Sequence, residues 1–312
     1  MVNINYDMMK KENYINVQME RVEDSSFPIL KVEFIEKDEQ GHSGLLIVDS
    51  CSEMNVLFSK MAGRLKLFFK MMDETITIKG IGDETLSTNV GKLTFSFGGK
   101  QFVESFCINE HKEKVVIYGD KYDLSVVGIL GNQFLQHHNL VIDYGDYSLH
   151  TSNYNLEKLP FSECDYFFPM EKGLKNYGIP VLSLRQNGRD FVVLADTGSS
   201  NNIIAPQAII ENGFERSYME KTNGIDGMTS HIEAKYAKVR FNLQTQTNNA
   251  TEELFYEDYF MITPYNMIEE GFYFDENANP LPPVVGIIGS PFMANEEWVL
   301  DFGIKYIYKR KK

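Results

Sequence analysis

The feature that most constrains this chain is that it is written twice. VVGILGNQFLQHHNLVIDYG (126–145) aligns without a gap on VVGIIGSPFMANEEWVLDFG (284–303), which puts Gly128 on Gly286, Gly131 on Gly289 and Asp143 on Asp301. Upstream, KLTFSF (92–97) falls on KVRFNL (238–243), FPILKVEFI (27–35) on IPVLSLRQN (179–187), and GLLIVDSCSEMNVL (44–57) on FVVLADTGSSNNII (191–204). The repeat spans residues 14–150 and 165–308 of a 312-residue chain. A unit of that length is a domain-sized lobe, too long for a solenoid repeat. Two similar lobes are therefore expected, 1–157 and 158–312.

Within each copy, short runs of Val, Ile, Phe, Tyr and Thr alternate with polar residues at period two, the pattern of half-buried strands. Gly98–Gly99 predicts a tight hairpin into QFVESFCI, whereas the second copy reaches LFYEDYFMI through a longer polar loop, QTQTNNATEE (244–253). Helical signals are few. PQAIIENG (206–213) has proline at its start and glycine at its end, FSKMAGRLKLFFKMMD (58–73) has helical apolar spacing, and GNQFLQHH (131–138) allows a turn or two. The expectation is a mostly β chain with a few short helices.

A formal charge of −14 argues against a nucleic-acid binder, which would need a basic face. No apolar run approaches the roughly 18 residues of a membrane span, and the first residues show no secretion signal. Cys51, Cys107 and Cys164 are odd in number and widely spaced, which fits neither a disulfide framework nor zinc. These features predict a cytoplasmic protein without nucleic-acid or membrane partners.

VLADTGSS places Asp196 at the end of an apolar strand, where an acid is costly to bury unless its surroundings hold it. Either the turn is structural or the carboxylate has a chemical role. The repeat supplies a counterpart, because Asp49 in IVDSCS stands where Asp196 stands. If two such acids meet between lobes at about 4 Å, their repulsion at an effective dielectric of about 20 is about 4 kcal/mol, roughly three pKa units. Such a pair keeps one proton over a broad pH range. Its ionised member can deprotonate water and its neutral member can protonate a carbonyl oxygen, which suffices for amide hydrolysis.

LADTGSS followed downstream by GIIG resembles the retropepsin/pepsin-like aspartic protease superfamily, and the resemblance covers both copies. It implies a bilobal acid-protease-like (double retropepsin) fold and an aspartic endopeptidase with no cofactor or metal. By that resemblance Asp49 and Asp196 are the catalytic pair, and Ser50 and Thr197 brace their loops. Cys51, Gly198 and Ser199 complete the supporting turns, with 128–131 and 286–289 beside them. The glycine-bearing stretches with Gly80 and Gly82, and with Gly224 and Gly227, correspond to flaps over an extended peptide or protein substrate. Both acids lie in one chain, so a monomer is expected.

The first copy departs from the pattern: it reads Asp49–Ser50–Cys51, with cysteine where the family has glycine. The added side chain is expected to shift the loop, and to strain it if the position needs positive φ. No histidine is placed to activate Cys51 as a nucleophile. Asp143 and Asp301 read as strand ends at turns, and His137–His138, adjacent on a short helix, as surface residues rather than a metal pair. The rival function is a catalytically inactive relative that binds a peptide or protein in the cleft, with a ligand-free scaffold as a third reading.

Overall fold

The structure is a computed structural model and describes residues 14–21, 26–35, 41–64, 69–79, 85–110, 126–152, 164–172, 179–212, 215–225, 231–246, 251–263 and 284–311. The boundary expected at 157/158 lies outside them.

The repeat becomes two six-stranded barrels. In the first, Ile29–Phe34 pairs with His42–Val48, which runs parallel to Val126–Leu130. The ring continues through Val56–Phe58 and Lys100–Asn109 to Thr85–Phe97, and closes where Phe34 meets Phe95. In the second, Pro180–Gln186, Arg189–Asp196, Val284–Gly289, Ile203–Ile204, Thr251–Ile262 and His231–Gln246 follow the same order, closed by Leu184 against Leu243. Closure leaves few edges exposed. Each barrel carries one further strand on its longest hairpin, Lys70–Lys79 or Glu215–Ile225.

The two cores match ring for ring. Phe95 stacks on Phe102 at 5.5 Å, meets Phe106 edge-on at 5.9 Å and lies 5.9 Å from Phe134. Its counterpart Phe241 stacks on Tyr256 at 5.6 Å, meets Phe260 edge-on at 6.0 Å and lies 5.9 Å from Phe292. Offset and edge-on pairs suit the ring quadrupoles and contribute about 0.5–1.5 kcal/mol each beyond area burial. Period-two sequence put these rings on one strand face, and the matching geometry makes the repeat physical.

A six-stranded antiparallel sheet joins the barrels, three strands from each copy. Its order is Asn16–Gln18, Ser148–Thr151, Leu140–Asp143, Trp298–Asp301, Tyr306–Arg310, Cys164–Pro169. At its centre Ile142 faces Leu300, while Asp143 faces Val299 and Val141 faces Asp301. Since the repeat places 141–143 on 299–301, the 142/300 pair marks a pseudo-twofold axis.

Three local expectations need revision. The helix drawn over 58–73 is only Ser59–Arg64; from Lys70 the chain is a strand, paired with the Thr85–Phe97 strand. Tertiary pairing there overrides apolar spacing. The loop expected over 244–253 is mostly ladder, with Gln244, Thr245 and Gln246 facing Glu253, Glu252 and Thr251. His138 is not a free surface residue: it packs against Phe134 and Phe102 and reaches Glu104 at 3.1 Å. The Gly98–Gly99 turn is as read, both glycines at positive φ, and Pro206–Asn212 is helical.

Candidate active site

Asp49 follows strand His42–Val48 and Asp196 ends strand Arg189–Asp196. Both strands lie mid-barrel, so each acid leaves the sheet at a fixed point, and the pseudo-twofold brings the two turns together.

The turns hold one another through four buried hydrogen bonds. Ser50 N–H donates to Thr197 Oγ1 and Thr197 N–H donates to Ser50 Oγ, both at 2.9 Å. Each hydroxyl then donates onward, Thr197 Oγ1 to Val48 O at 2.7 Å and Ser50 Oγ to Ala195 O at 2.6 Å. Ser50 and Thr197 are wholly buried. Leaving one such buried group unpaired costs about 1–3 kcal/mol, so the contact fixes both loops at once.

The next peptide in each turn aims a donor at its acid. Cys51 N–H and Ser52 N–H reach Asp49 Oδ1 at 2.8 and 2.9 Å; Gly198 N–H reaches Asp196 Oδ1 at 2.8 Å. The carbonyl on the far side of the same peptide is also held. Asn132 Nδ2 donates to Ser50 O, and Ser290 Oγ to Thr197 O, each at 2.7 Å. Asn55 and Asn202 tie the turns to the glycine segments by accepting from Gly131 N–H at 2.9 Å and Gly289 N–H at 2.8 Å. The glycines there are required by space: a Cβ on Gly131 would lie 2.4 Å from Met54 O, and one on Gly289 2.5 Å from Asn201 O. Ser199, expected in support, closes its turn by donating from Oγ to Asn201 O at 2.7 Å.

The two carboxyl groups meet within hydrogen-bonding reach. Burial, then the charge of Asp49, holds the Asp196 carboxyl well above the usual range. Burial raises Asp49 too, but the N–H groups of Cys51 and Ser52 and the Asp196 carboxyl pull it back. Both carboxyls are thus raised and share a proton, and the two N–H donors on Asp49 against one on Asp196 favour the charge on Asp49 and the proton on Asp196.

Cys51 fits without the expected strain, because neither Cys51 nor Gly198 has positive φ. Its Sγ lies 3.6 Å from Ala195 O. Burial and the charges of Asp196 and Asp49 push the thiol well up, so it is neutral and a poor nucleophile. The loop it sits in still meets its partner through the full set of cross-contacts.

Of the expected flap residues, Gly80, Gly82 and Gly227 lie outside the described residues. Gly224 faces Ile232 in the hairpin of Glu215–Ile225 with His231–Gln246. Asp143 Oδ1 accepts the Asp146 N–H, and Asp301 Oδ1 accepts those of Gly303 and Ile304, so both acids cap turns. No cluster of three or more metal-ligating side chains occurs among the described residues. Nor does any helix among them have the length and apolarity to cross a membrane.

Sequence reading missed Asn55, Asn202, Asn132 and Ser290. The two asparagines at 55 and 202 align in the repeat and were legible; the Asn132/Ser290 pair differs in kind and only its hydrogen bonds reveal a shared task.

This is a bilobal fold of the aspartic-proteinase type. The aspartic proteinase from Irpex lacteus is similar in structure, with a TM-score of 0.51 over 91% of this chain and 94% of that one, at 12% sequence identity. That likeness shows the fold alone. No family model and no curated protein sequence matches the chain.

Proposed function

We propose that the protein is an aspartic-type endopeptidase that works through Asp49 and Asp196. The observation that carries this reading is the buried carboxyl pair, held from both lobes by reciprocal hydrogen bonds. Burying two acids face to face is unfavourable, and a pair kept in spite of that cost marks a candidate functional site.

The chemistry follows from the protonation states. Asp49 takes a proton from water as the water oxygen bonds to the peptide carbonyl carbon, and Asp196 gives its proton to the carbonyl oxygen. The tetrahedral diol collapses as its C–N bond breaks. The leaving nitrogen takes the proton held by Asp49, and a diol hydroxyl returns one to Asp196, which restores the pair. The substrate lies extended between the barrels beneath the two long hairpins, held by main-chain hydrogen bonds with alternate side chains in pockets. One chain supplies both acids, so a monomer suffices.

The test is turnover of a mixed denatured-peptide library from acidic to neutral pH, beside Asp196→Asn. Cleavage by the native protein that disappears in the asparagine variant is expected. Failure of the native protein to cleave at any pH, with peptide retained in the cleft, would replace this reading with a peptide-binding one.

A further inference from the structure

The brace behind each acid is completed differently in the two halves. In the first, Asn132 holds Ser50 O, and Gln136 Nε2 donates to Asn132 Oδ1 from the same short helix, Asn132–His137. In the second, Ser290 holds Thr197 O, but the residue matching Gln136 is Ala294, whose side chain can donate nothing. The missing support comes from the other half of the molecule. Tyr144 Oη and Ser290 Oγ are 2.6 Å apart, and both residues are buried. The only proton of Ser290 Oγ goes to Thr197 O, so the tyrosine is the donor. By the repeat, Tyr144 stands on Phe302, which has no hydroxyl. The backbones of these two residues stay equivalent: Tyr144 N–H donates to Trp298 O, and Phe302 N–H to Leu140 O, both at 3.0 Å.

A continuous chain of donors results, from Tyr144 Oη to Ser290 Oγ, to Thr197 O, and across that peptide from Gly198 N–H to Asp196 Oδ1. Accepting at a peptide oxygen makes the N–H of the same peptide a better donor, and such chains strengthen cooperatively. We propose that Tyr144 is a positioning residue, which ties the sheet between the lobes to the peptide that orients Asp196 and thereby sets the proton affinity of that acid. Its value to catalysis rests on the endopeptidase reading; its effect on Asp196 does not. The neighbouring titratable groups are Asp49, Asp196 and Tyr147, whose charges all act to keep the Tyr144 phenol protonated, as does burial. The phenol thus stays a donor throughout the working range of a carboxyl pair.

Tyr144→Phe removes the hydroxyl alone. With the Gly198 N–H weakened, the charged form of Asp196 loses support and its midpoint rises, by about half a pH unit. Two measurements read this. The first is a carbon-13 titration of labelled aspartate carboxyls, with Asp196→Asn to assign the signal; it needs no substrate. The second is the pH–rate profile, in which the basic limb moves up by the same amount and kcat falls about tenfold with KM unchanged. Adding Ser290→Asn and Ala294→Gln to Tyr144→Phe copies the brace of the first half and should return the midpoint to its native value.

A native midpoint in folded Tyr144→Phe overturns the proposal. So does a folded triple variant whose midpoint stays shifted, since the hydroxyl would then act by another route. If the native protein has no turnover but the carboxyl titration moves as expected, the positioning role stands and the endopeptidase reading falls.

Discussion

Asp49 accepts two backbone N–H groups, from Cys51 and Ser52, whereas Asp196 accepts one, from Gly198. The turns are otherwise built on one plan, down to the exchanged hydroxyls of Ser50 and Thr197. That one extra donor tips the shared proton toward Asp196, because a carboxylate is stabilised by each N–H aimed at it. The turns also differ in how they use space. Cys51 carries a Cβ in the first turn, but a Cβ on Gly198 would lie 2.3 Å from Asp49 Oδ2 and 2.4 Å from its Cγ. The glycine that the pattern demands is therefore needed in one turn and dispensable in the other. A near-twofold site can lose its symmetry on the side where the neighbouring carboxylate leaves room.

Gly198→Ala breaks this comparison most severely. The new methyl displaces Asp49 by about an ångström, so turnover should fall at least about 100-fold while the barrels stay folded. Peptide hydrolysis beside circular dichroism measures both. Native-like turnover would mean that Asp49 does not lie against Gly198.

Thr197→Val keeps the shape but leaves Ser50 N–H and Val48 O unpaired. Denaturant unfolding should show a loss of about 2–4 kcal/mol, one desolvation penalty of about 1–3 kcal/mol per orphaned group less some relaxation. Ser50→Ala orphans the mirror-related Thr197 N–H but leaves Ala195 O the Cys51 thiol at 3.6 Å, so its loss should be the smaller of the two, and an equal or larger loss would show that the thiol does not substitute.

The proton on Asp196 links folding to pH. Its folded pKa is raised above that of the unfolded chain, so between the two values the native state binds a proton that the unfolded state lacks. The stabilisation is therefore full at acidic pH below the unfolded value and is lost as pH rises through the folded one. Native minus Asp196→Asn stability should fall by up to about 1.4 kcal/mol per pH unit across that window. Unfolding midpoints at a series of pH values measure it, and a flat difference would mean that Asp196 is ionised in the fold.

Cys51→Gly sharpens the comparison with the smallest change. It makes the turns alike at the cost of one thiol contact and greater freedom of the unfolded chain, about 1 kcal/mol together. Turnover should stay within a few-fold of native. In the native protein, with its raised pKa, the Cys51 thiol should resist alkylation near neutral pH and react only under alkaline conditions.

The repeat made most of the fold legible in advance, since residues that align without a gap at period-two spacing have to build like strands around like cores. Asp49 with Asp196, and Ser50 with Thr197, could be paired on the same ground. Local pattern failed where pairing across the molecule decides. The stretch 58–73 has helical apolar spacing, yet Lys70 and Met71 pair with Lys92 and Gly91, and the polar run 244–246 continues a ladder because its partner strand is there to receive it.

By itself, the sequence determined that there would be two β lobes, each offering one acid at a strand end. Only the tertiary structure decided that Cys51 is tolerated, that Asp49 receives one more N–H donor than Asp196, and that Tyr144 reaches Ser290 from the opposite half. Those outcomes depend on distances of a few ångströms between residues about 150 positions apart. Hydrogen bonds and carboxyl repulsion are short-ranged in space and take no account of separation along the chain.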